Sequence, residues 1–208
     1  MIDLRVPPGC ARLILVRHAE PDEAMRGRCY GSLDVGLSAH GRAQAARLVA
    51  VLARGAIDAV YSSPRQRAIE TVAGLAPPRV VADLREIDFG ALEGMTYDEV
   101  AAAHPALYRR WMEQPTEVGF PGGEHYTDVR ARVTAAAAAI RAAHPRGCAL
   151  IVAHGGTLRV LLAEALRIAD ADIFRLDIAH ASISVIDRFA DGTPIVRGLN
   201  VQPALDLP

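Results

Sequence analysis

The sequence contains no lysine: all 23 basic side chains among its 208 residues are arginines. This absence excludes Schiff-base catalysis by lysine and the phosphate-binding lysine of a Walker A loop. Any bound anion must be held by guanidinium groups, whose planar fork can bind two oxygens of a phosphate at once. The 24 acidic residues bring the net charge to −1. This balance gives no sign of a surface for nucleic acid or membranes, so we expect neither as a partner.

Cysteine is scarce as well, with only Cys10, Cys29 and Cys148. An odd, widely spaced set predicts free thiols in a reducing compartment and favours neither a disulfide framework nor a zinc site. No apolar run approaches the roughly 18 residues of a membrane span, and none at the amino terminus is long enough for a signal peptide. We therefore expect a cytoplasmic protein without a metal or other cofactor. The sequence is compatible with a monomer and with a homodimer.

What the chain does have is an alternation of short apolar runs with amphipathic helical segments, and 51% of its residues are hydrophobic. This pattern predicts one α/β domain over residues 1–208, built on a mostly parallel sheet. The predicted strands cover residues 13–16, 57–61, 79–82, 149–153, 182–189 and 194–199. Residues 95–125 are less regular and predict a small helical cap over one edge of the sheet.

Two serines predict where helices begin. Ser38 precedes a helix with apolar residues at helical spacing. Ser63 is followed by Pro64 and, three positions on, by Gln66, which is a capping-box pattern for the next helix.

Charged side chains stand directly after three of the predicted strands. Arg17 and His18 follow the first strand, Arg67 lies in the first turn after the second, and His154 follows the strand at 149–153. The carboxyl ends of parallel strands meet at one edge of a sheet, about 5 Å apart, so these side chains can converge on one small anion. Gly155 permits close backbone approach, and the helix that begins there adds N–H donors. The arrangement predicts a phosphate site.

Four motifs in order then resemble the histidine phosphatase superfamily, which is also called phosphoglycerate mutase-like. ArgHisAlaGlu at 17–20 is similar to that family's Arg-His-Gly-Glu motif, and AlaHisGlyGly at 153–156 to its second histidine motif. Between them, residues 62–71 resemble its second arginine motif and residues 86–94 its acid-bearing loop. The resemblance implies a three-layer α/β/α sandwich with a small helical cap.

The resemblance also implies a role for each matching residue. His18 would be the nucleophile that forms a phosphohistidine, and Glu86 would protonate the leaving group. Arg17, Arg67 and His154 would hold the phosphoryl oxygens. A neutral imidazole attacks well near neutral pH, and fixed positive charge is what phosphoryl transfer most needs, so no metal is required.

The chain departs from the family motif at Ala19, where the family has glycine. An alanine fits there unless φ is positive, and we expect activity to survive the change.

One loop of the sequence bears on the substrate. Residues 27–35 resemble the corresponding loop of α-ribazole-5′-phosphate phosphatases of cobalamin biosynthesis, and Arg28 and Tyr30 suit a nucleotide-like ligand by charge and stacking. We therefore predict a metal-independent phosphatase of a small phosphomonoester, with α-ribazole 5′-phosphate as the leading substrate. A cofactor-dependent phosphoglycerate mutase and a broad sugar-phosphate phosphatase are the alternative enzymes. A phosphate-ester-binding module without catalysis is the alternative from another class.

Several further titratable residues carry weaker predictions. Glu20 and Glu93 are candidate partners of the basic cluster. The remaining histidines are assigned to surfaces or caps, with only one of them, His125, a candidate for the pocket rim; the others are His40, His104, His144 and His180.

Overall fold

The computed structural model describes residues 4–203, and within this range it contains one sheet of six strands. The strand order is β3-β2-β4-β1-β5-β6. The strands are β1 (Cys10–Arg17), β2 (Ala59–Ser62), β3 (Arg79–Val80), β4 (Gly147–Ala153), β5 (Ile183–Phe189) and β6 (Pro194–Val201). The first four in this order are parallel, whereas β5 and β6 run antiparallel to their neighbours. The predicted α/β fold with a mostly parallel sheet is confirmed.

Helices fill the connections between the strands. They are α1 (Ala39–Leu52), α2 (Gln66–Thr71), α3 (Tyr97–Ala103), α4 (Pro105–Glu113), α5 (Tyr126–Ala143) and α6 (Gly155–Leu166). In the described part of the chain, none is long and apolar enough to cross a bilayer.

The central strands are apolar on both faces because helices cover both faces of the sheet. In β1, Leu13 and Leu15 belong to the buried cluster formed with α5 and α6. The alternate residues Ile14 and Val16 belong to the cluster formed with α1 and α2. The molecule therefore has the three layers that the family resemblance implies.

One of the two predicted helix starts is correct. Ser38 caps α1, since its Oγ accepts a hydrogen bond from the amide of Gly41 at 2.9 Å. The predicted capping box at Ser63 is wrong. The amide of Gln66, at the start of α2, donates instead to Asp34 Oδ1 at 2.7 Å. The helix begins two residues later than predicted, with Arg65 as its N-cap, and the Ser63 hydroxyl lies 2.7 Å from Nε2 of His154.

A third cluster of buried side chains stabilises the segment that contains α3 and α4. Trp111 is at its centre, with its ring centroid 5.1 Å from that of Phe120 and 5.7 Å from that of Phe89. The assignment of residues 1–208 to a single domain, with a cap insertion around 95–125, stays a prediction.

The strand order determines which strand ends meet. β4 lies between β1 and β2, so the ends of all three are held together by main-chain hydrogen bonds. The amide of His18, just after β1, donates to the carbonyl of Ala153 at 2.9 Å, and the amide of Ser63, just after β2, donates to the carbonyl of Val152 at 2.9 Å. Residues that follow these strands are thus brought to one edge.

Candidate active site

A cavity of about 220 Å³ opens at this edge of the sheet. All eight residues predicted from the sequence for catalysis or substrate binding line it. They are Arg17, His18, Arg28, Tyr30, Arg67, Glu86, His154 and Gly155. The remainder of the wall is largely apolar and aromatic, and includes Phe89, Tyr97, Trp111 and Phe120 from the segment around α3 and α4. The cavity is therefore polar at the strand ends and apolar toward the cap.

The imidazole of His18 is held in one orientation and is 1% exposed. Its Nδ1 lies 2.7 Å from the carbonyl oxygen of Ala19. Because a carbonyl oxygen only accepts, Nδ1 carries the proton and Nε2 keeps its lone pair. Burial above all, followed by the charges of His154 and Arg17, places the pKa of His18 well below its usual value. The ring is therefore neutral and nucleophilic at Nε2 near neutral pH.

The alanine that replaces the family glycine is accommodated. Ala19 is fully buried, and its amide donates to Thr71 Oγ1 at 2.9 Å. Its φ angle is not positive, so the methyl group causes no backbone strain.

Arg67 is fully buried, and its guanidinium is fixed by main-chain carbonyls. Nη1 donates to the carbonyl of Leu33 at 2.8 Å, and Nη2 donates to those of Tyr30 at 3.0 Å and Gly31 at 3.1 Å. The guanidinium also lies 5.2 Å from the centroid of the Tyr30 ring. Burial lowers the pKa of Arg67, but an arginine stays charged under all ordinary conditions.

Three buried nitrogens around the cavity lack a hydrogen-bond partner in the described structure. They are Nε of Arg17, Nε of Arg67 and Nδ1 of His154. Nε2 of His154 lies 2.7 Å from Ser63 Oγ, which also accepts the Arg65 amide at 3.3 Å. Buried donors are nearly always satisfied in folded proteins. The three nitrogens are therefore available to hydrogen-bond a ligand in the cavity.

The Glu86 carboxylate lies at the amino-terminal end of α6. Oε2 accepts the amide of Gly156 at 3.0 Å, and Oε1 accepts the amide of Ile87 at 3.0 Å. A Cβ atom on Gly156 would lie 2.4 Å from Glu86 Oε1, so a side chain at position 156 would displace the carboxylate. At Gly155 a Cβ would lie 3.6 Å from the guanidinium carbon of Arg17, which is an ordinary van der Waals distance.

The matching family model is that of the histidine phosphatase superfamily (branch 1), and it covers residues 13–202. This chain belongs to the histidine phosphatase superfamily.

Relatives of this histidine phosphatase include a bifunctional protein of Mycobacterium tuberculosis, 38% identical over 195 residues. That match covers 91% of this chain but 53% of the relative, so the chain spans about half the length of the first curated relatives it matches. Phosphoserine phosphatase 1 of Hydrogenobacter thermophilus is 34% identical over 180 residues, which cover 84% of this chain and 85% of the relative. The α-ribazole phosphatase of Shigella flexneri superposes with a TM-score of 0.83 at 25% identity, covering 95% of this chain and 99% of that one. The predicted enzyme class, a phosphoric monoester hydrolase, matches the names of the last two.

The prediction that His180 is a surface or cap residue is wrong for this histidine phosphatase. Its ring centroid lies 5.2 Å from that of His18, and Nε2 lies 3.4 Å from the hydroxyl oxygen of Tyr30. Burial, and then the charges of Arg17 and Arg67, lower the pKa of His180 to about 3. The sequence position of His180 could have indicated this. His180 comes just before β5, and a strand antiparallel to β1 begins at the edge of the sheet where the parallel strands end.

Arg159 is a second residue that the sequence reasoning missed. It lies one helical turn after Gly155 in α6 and lines the cavity. Nε donates to the carbonyl of Leu176 at 2.9 Å, and the guanidinium lies 5.2 Å from the ring centroid of Phe174. The i, i+4 spacing from Gly155 could have indicated it.

The weaker predictions have mixed outcomes. His125 does not line the cavity, and its Nδ1 accepts the amide of Thr127 at 3.2 Å at the start of α5. Glu20 accepts the hydroxyl of Ser38 at 2.7 Å. Glu93 accepts the amides of Ser32 at 2.7 Å and Phe89 at 2.9 Å. It thus shapes the loop whose carbonyls hold Arg67, and it acts through the backbone. Residues 4–203 contain no group of three or more His, Cys, Asp or Glu side chains that could hold a metal.

Replacing Arg67 by lysine should impair the proposed phosphate binding and turnover together. A lysine cannot satisfy three carbonyls and a phosphoryl oxygen at once, and the loss of one preorganised donor typically costs roughly 3–4 kcal/mol in the transition state. Steady-state kinetics with an aryl phosphate, together with inhibition by inorganic phosphate, measure the effect. The exposed Arg54 supplies the matched control as Arg54→Lys. Full activity in Arg67→Lys would contradict the assigned role.

Stability should fall when the pH is lowered below about 6.5, where histidine titrates in an unfolded chain. Because the pKa values of His18 and His154 are lowered by burial, the unfolded state then binds protons that the folded state does not. The free energy of unfolding decreases by up to about 1.4 kcal/mol per pH unit for each such histidine. Denaturant unfolding at about pH 7.5 and about pH 5.5 tests this. Between these two pH values, the free energy of unfolding of His18→Ala should decrease less than that of the wild type. An equal decrease would contradict the role given to His18 in the pH dependence.

Proposed function

We propose that this protein hydrolyses small phosphomonoesters, and that it transfers the phosphoryl group first to Nε2 of His18 and then to water without a metal ion. The substrate that we favour is α-ribazole 5′-phosphate of cobalamin biosynthesis. One observation carries the proposal: a neutral, oriented imidazole lies beside three buried nitrogens, of Arg17, Arg67 and His154, that have no hydrogen-bond partner. A nucleophile surrounded by preorganised donors is what phosphoryl transfer requires. The buried free thiols of Cys10, Cys29 and Cys148 suit a cytoplasmic location, which we also propose.

In the first step the lone pair of His18 Nε2 forms a bond to phosphorus as the ester P–O bond breaks. The Nδ1 proton stays directed at the Ala19 carbonyl, so the positive charge of the phosphorylated ring is stabilised there. Arg17, Arg67 and His154 bind the oxygens that carry the transferred charge. Glu86 gives its proton to the leaving alkoxide, which would otherwise be too basic to depart.

In the second step water attacks the phosphohistidine from the side that the alcohol has left. Glu86, which is now a carboxylate, accepts a proton from that water, and the N–P bond breaks to restore neutral His18. Inorganic phosphate is released. The positive charge that many phosphatases take from metal ions is supplied throughout by guanidinium groups and by the N–H donors.

The apolar wall of the cavity supports a substrate with a large aromatic leaving group. Phe89, Tyr97, Trp111 and Phe120 line it, and aromatic rings of this kind stack well on a flat base. Tyr30 and Arg28 lie on the same cavity, although Arg28 also donates to the carbonyl of Gly94 at 2.7 Å. α-Ribazole combines a ribose with an aromatic base.

Phosphoserine, the substrate in the name of one relative, fits the cavity less well. Its ammonium group needs an acidic partner, and the only carboxylate among the described lining residues is that of Glu86, which is already assigned to the acid. Arg159 lines the cavity as well, and a guanidinium can bind a carboxylate, so a phosphorylated hydroxy acid is a second candidate. A mutase would instead return the phosphoryl group from His18 to an alcohol, and a binding module would leave the ester intact.

A phosphate-release assay over a panel of metabolites tests the proposal. The panel contains α-ribazole 5′-phosphate, phosphoserine, phosphoglycerates, sugar phosphates and p-nitrophenyl phosphate, each with and without excess chelator. We expect release of phosphate from α-ribazole 5′-phosphate with the highest kcat/KM, unchanged by chelator. If no ester releases phosphate, the protein is a phosphate-ester-binding module without catalysis. If a phosphoglycerate is isomerised and no phosphate is released, the protein is a mutase. Loss of activity after chelation that a divalent ion restores would overturn the metal-free mechanism.

A further inference from the structure

Arg132 in α5 does not line the cavity, yet its guanidinium holds the main chain of the loop that carries Glu86. Nη1 donates to the carbonyls of Asp83 at 2.8 Å and Arg85 at 2.7 Å, and Nη2 donates to that of Glu86 at 3.1 Å. Only 9% of the Arg132 side chain is exposed. A loop of this kind cannot satisfy three converging carbonyls with its own amides, and one planar guanidinium does so at once.

Glu124 completes this contact from the other side. Its Oε1 accepts Nε of Arg132 at 2.8 Å and its Oε2 accepts Nη2 of Arg132 at 2.8 Å, so the pair is bidentate. Glu124 also accepts Nη2 of Arg85 at 2.6 Å and the amide of Asp88 at 3.1 Å. Burial alone would raise the pKa of Glu124, but the hydrogen bonds and charge of Arg132 lower it. The carboxylate is therefore ionised and binds the chain on both sides of Glu86, at Arg85 and at Asp88.

The main chains of two distant segments interlock at the same place. The amide of Glu124 donates to the carbonyl of Asp88 at 2.9 Å. A Cβ atom on Gly123 would lie 2.3 Å from that same carbonyl oxygen, and one on Gly90 would lie 2.2 Å from the carbonyl oxygen of Pro121. Only glycine permits this approach at either position. The acid loop and the segment that leads from the cap into α5 thus form one packed unit.

The acid loop is also attached to α6, where Glu86 meets the proposed site. Thr157 Oγ1 donates to the carbonyl of Arg85 at 3.0 Å, and the Gly156 amide holds the Glu86 carboxylate. The side chain of Glu86 is therefore placed by α6, whereas its main chain is placed by Arg132. A shift of the main chain by a fraction of an ångström changes the position of the carboxylate relative to the ester oxygen.

We propose that Arg132, supported by Glu124, is a positioning residue that holds Glu86 at the distance needed to protonate the leaving group. This inference rests on the proposed function of Glu86 as the acid. Proton transfer needs heavy atoms within about 2.6–3.2 Å of each other, and a small misplacement of a reacting group can cost about a hundredfold in rate. Arg132 does not touch the phosphoryl group, so its effect should be confined to the step that needs the proton.

The test compares Arg132→Gln with the wild type in single-turnover phosphorylation of His18. The substrates are β-glycerophosphate, whose leaving alkoxide needs a proton, and p-nitrophenyl phosphate, whose leaving group does not. We expect Arg132→Gln to slow the alkyl reaction by roughly tenfold to a hundredfold and the aryl reaction by less than about threefold. In a Glu86→Gln background the same change should add almost nothing, because the two residues act through one group.

Arg130→Gln is the matched control. Arg130 lies two residues earlier in α5, is 54% exposed and pairs with Asp170 at 3.1 Å, so its replacement should change neither reaction. Glu124→Gln, which keeps the three carbonyl contacts of Arg132, should give a weaker alkyl-selective loss and serves if Arg132→Gln fails to fold. Equal slowing of both substrates, or full additivity with Glu86→Gln, would overturn the role of Arg132 and leave the proposed function standing. A wild-type protein that forms no phosphohistidine would overturn both.

Discussion

His18→Ala is expected to abolish phosphate release and phosphohistidine formation while the protein remains folded. The variant removes the only protein atom in the proposed mechanism that bonds to phosphorus, and loss of a covalent nucleophile typically costs about a millionfold in kcat. The fold should survive because His18 follows the end of β1 and packs against other site residues, with its ring centroid 5.1 Å from that of His154. The core clusters on the two faces of the sheet do not include it.

Two measurements on the same preparations decide this prediction. Incorporation of labelled phosphate into the protein reports the intermediate, and thermal unfolding reports the fold. His40→Ala is the matched control, since His40 is exposed near the start of α1 and should retain full activity. A folded His18→Ala protein that still releases phosphate at the wild-type rate would end the phosphohistidine mechanism.

Glu86→Gln should have the second largest effect, and it should depend on the leaving group. An alkoxide is strongly basic and departs slowly without a proton, whereas p-nitrophenolate is stable unprotonated. A positioned general acid contributes typically about 10²–10⁴-fold, so phosphorylation of His18 by an alkyl ester should slow by that factor. With the aryl ester it should slow far less. Hydrolysis of the phosphohistidine should slow after both substrates, because Glu86 is also the proposed base.

Glu86→Gln also disturbs hydrogen bonds to the main chain, and the experiment must separate this effect from the loss of the acid. Both carboxylate oxygens of Glu86 accept backbone amides, from Ile87 and Gly156, and a glutamine can accept from only one of them. Glu86→Asp retains the acid but shortens its reach, and it is the companion variant. If Glu86→Gln slows phosphorylation of His18 equally with both substrates, Glu86 positions the phosphoryl group and does not donate the proton. If phosphorylation slows with neither substrate, the acid is another group. Glu20 and Glu93 are poor substitutes because their carboxylates already accept hydrogen bonds from Ser38 and from backbone amides.

The parts of the fold that depend on local pattern were predictable from the sequence. The apolar runs of β1 and β4 are long enough to identify as buried strands, and the charged residues that follow them mark the edge where parallel strands end. Strand order is a different kind of information. Nothing in the periodicity of β1 or β2 indicates that β4, far along the chain, lies between them.

The residues that were missed or misassigned owe their positions to distant contacts. His180 precedes an antiparallel strand, so the rule that sites follow parallel strands does not find it. Ser63 has a good local capping pattern, but α2 begins at Gln66 and its first amide donates to Asp34, 32 positions earlier in the chain. Arg132 contacts carbonyls 46 to 49 positions earlier, and an arginine on an amphipathic helix is otherwise expected to be solvated.

The attachment of Arg67 to the carbonyls of Tyr30, Gly31 and Leu33 limits how this scaffold can diversify. The loop from 27 to 35, which would distinguish one leaving group from another, also holds Arg67, the proposed phosphate-binding residue. Grafting that loop from a relative would therefore exchange selectivity and turnover together, unless the donor loop returns the same three oxygens to the same places. Point substitutions of outward side chains, which leave the main chain in place, are the safer route to a new substrate.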